Sequence, residues 1–263
     1  MKKKFQLACL TCFALLTISA TAQRIAIGIK GGISIPNLTA GNGSQNPLNT
    51  GYKSISGPDA AVFAEYEVSD LFSIVPQLEY STQGGKKDGL QAFPIPTQAS
   101  LYFKLQNKPV PSYLYGNFNN KTQLSYLMLP VLAKFVINIG ESPVRLYASV
   151  GPFASLLLKG TNNTSGNSAI YEDAGGQQPL PVGSYSFDNK MSIKDRLRNF
   201  NAGIEGNLGI AFQLGSSSVF LEGGGNYGFI KIQKDAADGQ NNTGAAFAVI
   251  GYRFAFGGKR SLL

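Results

Sequence analysis

Ten charged side chains recur at alternate positions of stretches whose other positions are apolar. Glu65, Glu67, Glu79, Glu205 and Glu222 are acidic, and Arg24, Lys30, Lys134, Arg145 and Arg253 are basic. Residues two apart on an extended chain share one face, so the set points two ways. Paired carboxylates serve as acid and base in hydrolytic enzymes; carboxylates mixed with cations form an ion network. Equal numbers of both signs favour the network, because a buried ion costs several kcal/mol unless it is paired. The alternative is ten solvated surface charges. The chain contains no His, which removes the usual general base, the commonest zinc ligand and every Ser-His or Cys-His dyad. No catalytic, cofactor or metal-binding residue is assigned, and a non-enzymatic protein is expected.

The elements that carry these charges are eight alternating stretches: Arg24–Ile35, Gly57–Val68, Leu71–Gln83, Thr122–Ile139, Pro143–Lys159, Asn199–Leu214, Ser218–Ile232 and Thr243–Phe256. In the first, Ile25, Ile27, Ile29, Ile33 and Ile35 oppose Arg24, Ala26, Gly28, Lys30, Gly32 and Ser34. In the fourth, Leu127, Leu129, Val131, Phe135, Ile137 and Ile139 oppose Tyr126, Met128, Pro130 and Lys134. The second faces are mostly Gly, Ala, Ser and Asn with isolated charges, which suits a crowded lumen better than a wet surface. Phe63, Phe153, Phe220 and Phe247 fall on this inner face as well.

Connections alternate in length. Ser69-Asp70, Gly140-Glu141-Ser142 and Gly215-Ser216-Ser217 are tight turns, whereas Pro36–Ser56, Gly84–Lys121, Gly160–Arg198 and Gln233–Asn242 are long, polar loops. The expectation is an all-β fold, an eight-stranded antiparallel up-and-down transmembrane β-barrel with four long extracellular loops and periplasmic turns. Ser100–Leu105 and Ser112–Phe118 alternate enough to predict a hairpin in the second loop, or a ten-strand barrel; the first is shorter than the roughly 9–11 residues of a spanning strand.

The N-terminus reads as an export signal. Lys2, Lys3 and Lys4 precede an apolar run, and Ala20-Thr21-Ala22 supplies a small-residue cleavage site. Residues 1–22 are thus expected to be a signal peptide and 23–263 the barrel domain. Cleavage lowers the formal charge from +8 to about +5. It also removes Cys9 and Cys12, both of the chain's cysteines, leaving no thiol chemistry. Charged residues make up only 14% of the chain, and 31 Gly, 12 Tyr and 17 Phe are consistent with a lipid-facing wall and aromatic girdles. Gly203, Gly206 and Gly209 are no phosphate loop, since no Lys-Ser/Thr follows; inward, close-packed barrel positions explain them.

The runs Gly28-Ile29-Lys30-Gly31-Gly32-Ile33-Ser34, Pro76-Gln77-Leu78-Glu79-Tyr80-Ser81 and Tyr126-Leu127-Met128-Leu129-Pro130-Val131-Leu132-Ala133-Lys134-Phe135 resemble the porin-family, PorT-like outer-membrane β-barrel domain of Bacteroidetes-type bacteria, as do Gly151-Pro152-Phe153 and Gly251-Tyr252-Arg253-Phe254. The resemblance implies fold and location more than activity. The expected partners are outer-membrane lipid and the barrel-insertion machinery, with no nucleic acid. Lys190, Lys194, Arg196 and Arg198 form a basic cluster that is a candidate contact for lipopolysaccharide phosphates, the alternative being a solvated loop. Three functions stand: an interaction barrel whose loops bind a ligand or partner, a small-solute channel, and, least favoured without His, an enzyme.

A closed barrel has no edge to unzip. The protein is therefore expected in the outer-membrane fraction, with heat-modifiable migration on gels; recovery as a soluble periplasmic protein would refute this.

Overall fold

A computed structural model of the protein describes residues 24–41 and 46–256. The expected signal peptide, residues 1–22, and the tail after Phe256 lie outside the described residues. Among the described residues eleven strands make one antiparallel sheet. They are β1 (Arg24–Ala40), β2 (Gly57–Glu67), β3 (Phe72–Phe93), β4 (Leu114–Asn138), β5 (Val144–Ser165), β6 (Asn167–Tyr171), β7 (Pro179–Ser186), β8 (Asn189–Ser192), β9 (Phe200–Leu214), β10 (Ser217–Gly228) and β11 (Asn241–Phe256). Eight of them pair in a closed ring, in the order β1, β2, β3, β4, β5, β9, β10, β11. β11 returns to β1 from Ile25 opposite Phe256 to Ala40 opposite Asn241.

Alternation decides which face each residue takes. Ile25, Ile27, Ile29, Ile33 and Ile35 are exposed on the outside of β1, while Ala26, Lys30 and Ser34 are buried within the ring. On β9, Phe200, Ile204, Leu208, Ile210, Phe212 and Leu214 face outward, with Asn201, Glu205 and Asn207 inside. From Ile25 to Ile35 the chain advances about 33 Å. At a ~45° tilt this makes an apolar band of roughly 23 Å, near the ~25 Å expected of an outer-membrane barrel.

The tight turns fall where the sequence suggests, each within a few residues of the expected length. Gly215 and Ser216 join β9 to β10, and Leu214 pairs with Ser217. Gly215 has φ +66° while Ser216 stays negative, the φ pattern of a type II′ turn, which only Gly enters freely at its first position.

The strands differ from expectation above the band. β3 and β4 continue as a paired ladder up to Phe93 opposite Leu114, and β5 runs on to Ser165, so much of the second loop is sheet. Apolar alternation stops where lipid stops, but backbone pairing does not. The predicted hairpin at Ser100–Leu105 is instead the helix α1 (Thr97–Leu105), with Phe103 buried against Leu114 and Leu180 and packed by Ala99 and Tyr102. Positions 99, 102 and 103 follow a helical repeat that a run this short does not distinguish from a strand. Of the other arm, Ser112–Phe118, residues 114–118 are the start of β4. The third loop folds as β6 and β7 beside β4, and β8 beside β5. A register shift opposite Ser125 and Tyr126 leaves Leu158 as a bulge. Leu157 therefore points inward while both Leu158 and Lys159 are exposed.

Four inward aromatics lie directly opposite glycines of the neighbouring strand: Phe63 opposite Gly28, Tyr147 opposite Gly209, Phe153 opposite Gly203, and Phe220 opposite Gly251. A Cβ at any of these glycines would collide with the facing ring, so the rings lie flat against bare backbone and fill a narrow interior. Gly209→Ala is expected to cost about 1–3 kcal/mol by overpacking. At Gly209 the obstructing atoms all belong to the Tyr147 side chain, so urea unfolding of the double variant with Tyr147→Leu should show most of that added loss removed.

Candidate functional site

The interior is built in layers from the short-turn end upward. At the bottom, Arg253 bridges two carboxylates of β2: its Nε donates to Glu65 Oε2 at 2.6 Å and its Nη2 to Glu67. Lys134 Nζ donates to the same Glu65 oxygen at 3.1 Å. Arg145 lines the small cavity, about 40 Å³, that these residues enclose. Arg24 pairs through its backbone with Glu67; its side chain lies outside the description.

Above them Phe63, Tyr147 and Phe220 form an aromatic layer, with Phe220 edge-on to both neighbours at 5.8 and 6.4 Å between ring centres. Lys134 Nζ sits 4.4 Å from the centre of the Tyr147 ring, a cation–π contact that ties the bottom layer to this one. The Tyr147 hydroxyl then donates to Glu222 Oε2 at 3.1 Å, linking upward.

The third layer centres on Lys30. Its ammonium donates to Glu222 Oε1 at 2.8 Å and lies 3.9 Å from Glu79 Oε2. Asn207 Nδ2 donates to both Glu205 and Glu222 at 3.3 Å, and Ser81 Oγ donates to Asp59 Oδ2 at 2.8 Å. Glu79 and Glu205 are 1% and 0% exposed. Above lies an apolar plug, in which Leu38, Leu124, Tyr126, Met128, Phe153, Leu157, Leu197 and Ile232 pack into one cluster.

Among the charged positions whose partners are described, the ion pairs fall into two groups, which Tyr147 connects. Lys134 belongs with Glu65 and Arg253, whereas Glu79 and Glu205 gather around Lys30. The pooled signs balance, yet the Lys30 layer holds four carboxylates once Asp59 is included, against one ammonium. Sequence reasoning passed over Asp59 although it shares parity with Glu65 and Glu67; it also passed over Tyr147, whose parity matches Arg145. The inner face is more apolar than expected, since Val75, Leu132 and Val249 are buried there too.

The basic cluster makes several contacts within the chain. Lys194 Nζ donates to the Leu158 carbonyl at 3.1 Å, and Arg198 Nε to that of Gln233 at 3.3 Å. Arg196 pairs with Asp238 at 3.9 Å, and Lys190 stands exposed on β8. These contacts pin the third loop to β5 and to the fourth loop. Asn241 Nδ2 donates to the Asn49 carbonyl at 2.9 Å, and Asn49 Oδ1 accepts from the Gln240 amide at 2.6 Å, joining the first and fourth loops.

Residues 19–234 match the family described as outer membrane protein beta-barrel domain. No curated protein matches the chain by sequence. Among solved structures it is similar to neisserial surface protein A, with 13% identity, 88% of this chain and 99% of that one covered, and a TM-score of 0.39. It is also similar to Ail, the attachment invasion locus protein of Yersinia pestis, with 14% identity, coverage of 89% and 100%, and a TM-score of 0.37. The outer membrane protease OmpT of Escherichia coli gives 9%, 90% and 99%, and 0.41. Likeness this distant says nothing of a shared role. The family match spans most of the chain: the protein belongs to the outer membrane protein beta-barrel domain family and is an integral protein of the outer membrane.

Removing one partner of a buried ion pair strands the other. Lys30→Met and Glu65→Gln are each expected to lose roughly 3–5 kcal/mol, and the outward Ile27→Val at most about 0.5–1.5, by urea unfolding from lipid vesicles. Pairing Lys30→Met with Glu222→Gln should return part of the loss. Small, equal losses would mean the interior is wet.

Proposed function

We propose that this outer-membrane protein is an eight-stranded transmembrane barrel that does not conduct, does no catalysis, and acts through ligand or partner contacts at its long-loop end. The observation that carries this reading is the sequence of interior layers. An ion-paired floor, an aromatic layer, the Lys30 cluster and the apolar plug follow one another along the axis. Eight strands leave an interior that side chains just fill, and here bulky side chains are supplied at each level.

Supporting the choice of end, the turns opposite are only a few residues long, whereas the long-loop end has its own helix, its own strands and a separate apolar cluster around Phe103. Structure of that kind is maintained where a surface has work to do. With short turns periplasmic, this end is extracellular. The exposed groups of the basic cluster, Lys190 foremost, are proposed to meet lipopolysaccharide phosphates. The resemblance of the strand runs to PorT-like members supports a place in that branch of the family.

Purified protein in planar bilayers is expected to give no single-channel steps. Stable steps, insensitive to trimming of the loops, would overturn the sealed reading in favour of a small-solute channel.

A further inference from the structure

Above the plug, at the long-loop end, lies a cavity of about 200 Å³. Leu38, Leu197 and Ile232 of the plug form its floor, and Tyr52, Phe93 and Phe118 present aromatic surface to it. Into the same cavity comes Lys87, on the part of β3 that continues seven residues past Tyr80, the last outward aromatic of the apolar band.

Lys87 is unusual for a lysine at a protein surface. Only 5% exposed, its ammonium donates to the carbonyl oxygens of Pro47 and Leu48, both at 2.9 Å, and lies 4.5 Å from the centre of the Tyr52 ring. These contacts use two of its three N–H donors and bring no negative charge. The adjacent Asp88 pairs with Lys86 at 3.4 Å, and among the described residues no carboxylate makes an ion pair with Lys87. Burial alone pushes its pKa down to about 8, so it remains largely charged at neutral pH.

The other polar groups of the wall are already occupied. Asn162 Nδ2 donates to Asn120 Oδ1 at 2.7 Å and to Thr122 Oγ1 at 3.1 Å, and the Tyr52 hydroxyl is hydrogen-bonded to Thr122 and held up at about 12 by burial. Across the cavity the Arg196 guanidinium is paired with Asp238 at 3.9 Å. Lys87 is thus the lining cation that no carboxylate pairs with among the described residues, in a space whose aromatic and aliphatic side chains are interspersed with polar groups already bonded within the chain. An apolar cavity of about 150 Å³ takes benzene, so this one has room for a ring and a carboxylate.

We propose that this cavity binds a small aromatic monocarboxylate, with the carboxylate on Lys87 Nζ and the ring against Tyr52, Phe93 and Phe118. The inference rests on the reading of the long-loop end as the ligand-binding end and names the ligand class. An entering carboxylate supplies the missing counter-charge, and the apolar remainder is removed from water.

The test is calorimetric titration of the protein, folded in detergent micelles, with benzoate and with its neutral counterpart benzamide. Benzoate is expected to bind at one saturable site, at least tenfold more tightly than benzamide. Lys87→Gln should weaken benzoate by about ten- to hundredfold, the worth of a hydrogen bond to a charged group, and leave benzamide unchanged. Ala92→Leu, which adds bulk to the wall and keeps Lys87, should weaken both; heat-modifiable migration verifies that each variant is folded. Equal affinity for the two probes, indifference to both variants, or no saturable benzoate binding by the folded protein would overturn the proposal and make Lys87 a latch for the first loop only. Channel steps from the same preparation would overturn the sealed-lumen reading while leaving a measured benzoate affinity standing, so the two failures are distinguishable.

Discussion

Hydrocarbon offers no hydrogen bonds, so a backbone that crosses it must pair its own N–H and C=O groups; for strands, this means closing the sheet on itself. The return of β11 to β1, sixteen residue pairs long, is that closure. Everything inside the apolar band follows from it. Positions that point outward must be apolar, those that point inward must fit a narrow cylinder, and parity along each strand assigns one or the other. The interior is so confined that Phe63, Tyr147, Phe153 and Phe220 are accommodated only because the residue opposite each is Gly.

Confinement also governs the charges. Ions in a medium of low dielectric need partners within a few ångströms, and Glu65 obtains two, Lys134 and Arg253. Tyr147 joins this floor to the Lys30 layer, through its ring below and its hydroxyl above. The two layers have different electrical characters: the floor holds Glu65 and Glu67 against Lys134 and Arg253, whereas Asp59, Glu79, Glu205 and Glu222 share Lys30. The ion pairs thus lie in the lower and middle levels, and an apolar cluster lies above them.

Beyond the band the constraint changes. Water is available to the backbone and no lipid selects the outer face, so β3, β4 and β5 continue as polar ladders and the loops build small cores of their own around Phe103. The chain is free there to bury groups that hydrocarbon would forbid unpaired. Lys87, held by two carbonyls and an aromatic ring, is such a group.

What the sequence alone determined is the part of the fold that lipid dictates. Period-two alternation located all eight ring strands within a few residues at the short-turn end, assigned Lys30, Glu79, Glu205 and Arg253 to the interior, and placed the tight turns, because each of these depends on local parity or on turn chemistry. Where no lipid faces the chain, that signal vanishes: the polar ladder from Gly84 to Phe93 read as loop, and Ser100–Leu105 read as strand although Ala99, Tyr102 and Phe103 share a helical face. Parity gives a residue's face but not its height, which depends on the stagger between neighbouring strands. Glu79 lies opposite Met128, and Lys134 opposite Ser73, so two residues of one inner face belong to different layers. The ion partners, the bulge at Leu158 and the cavity beside Lys87 were therefore decided by the tertiary structure, since each arises from registers and loop closures that join residues far apart in the chain.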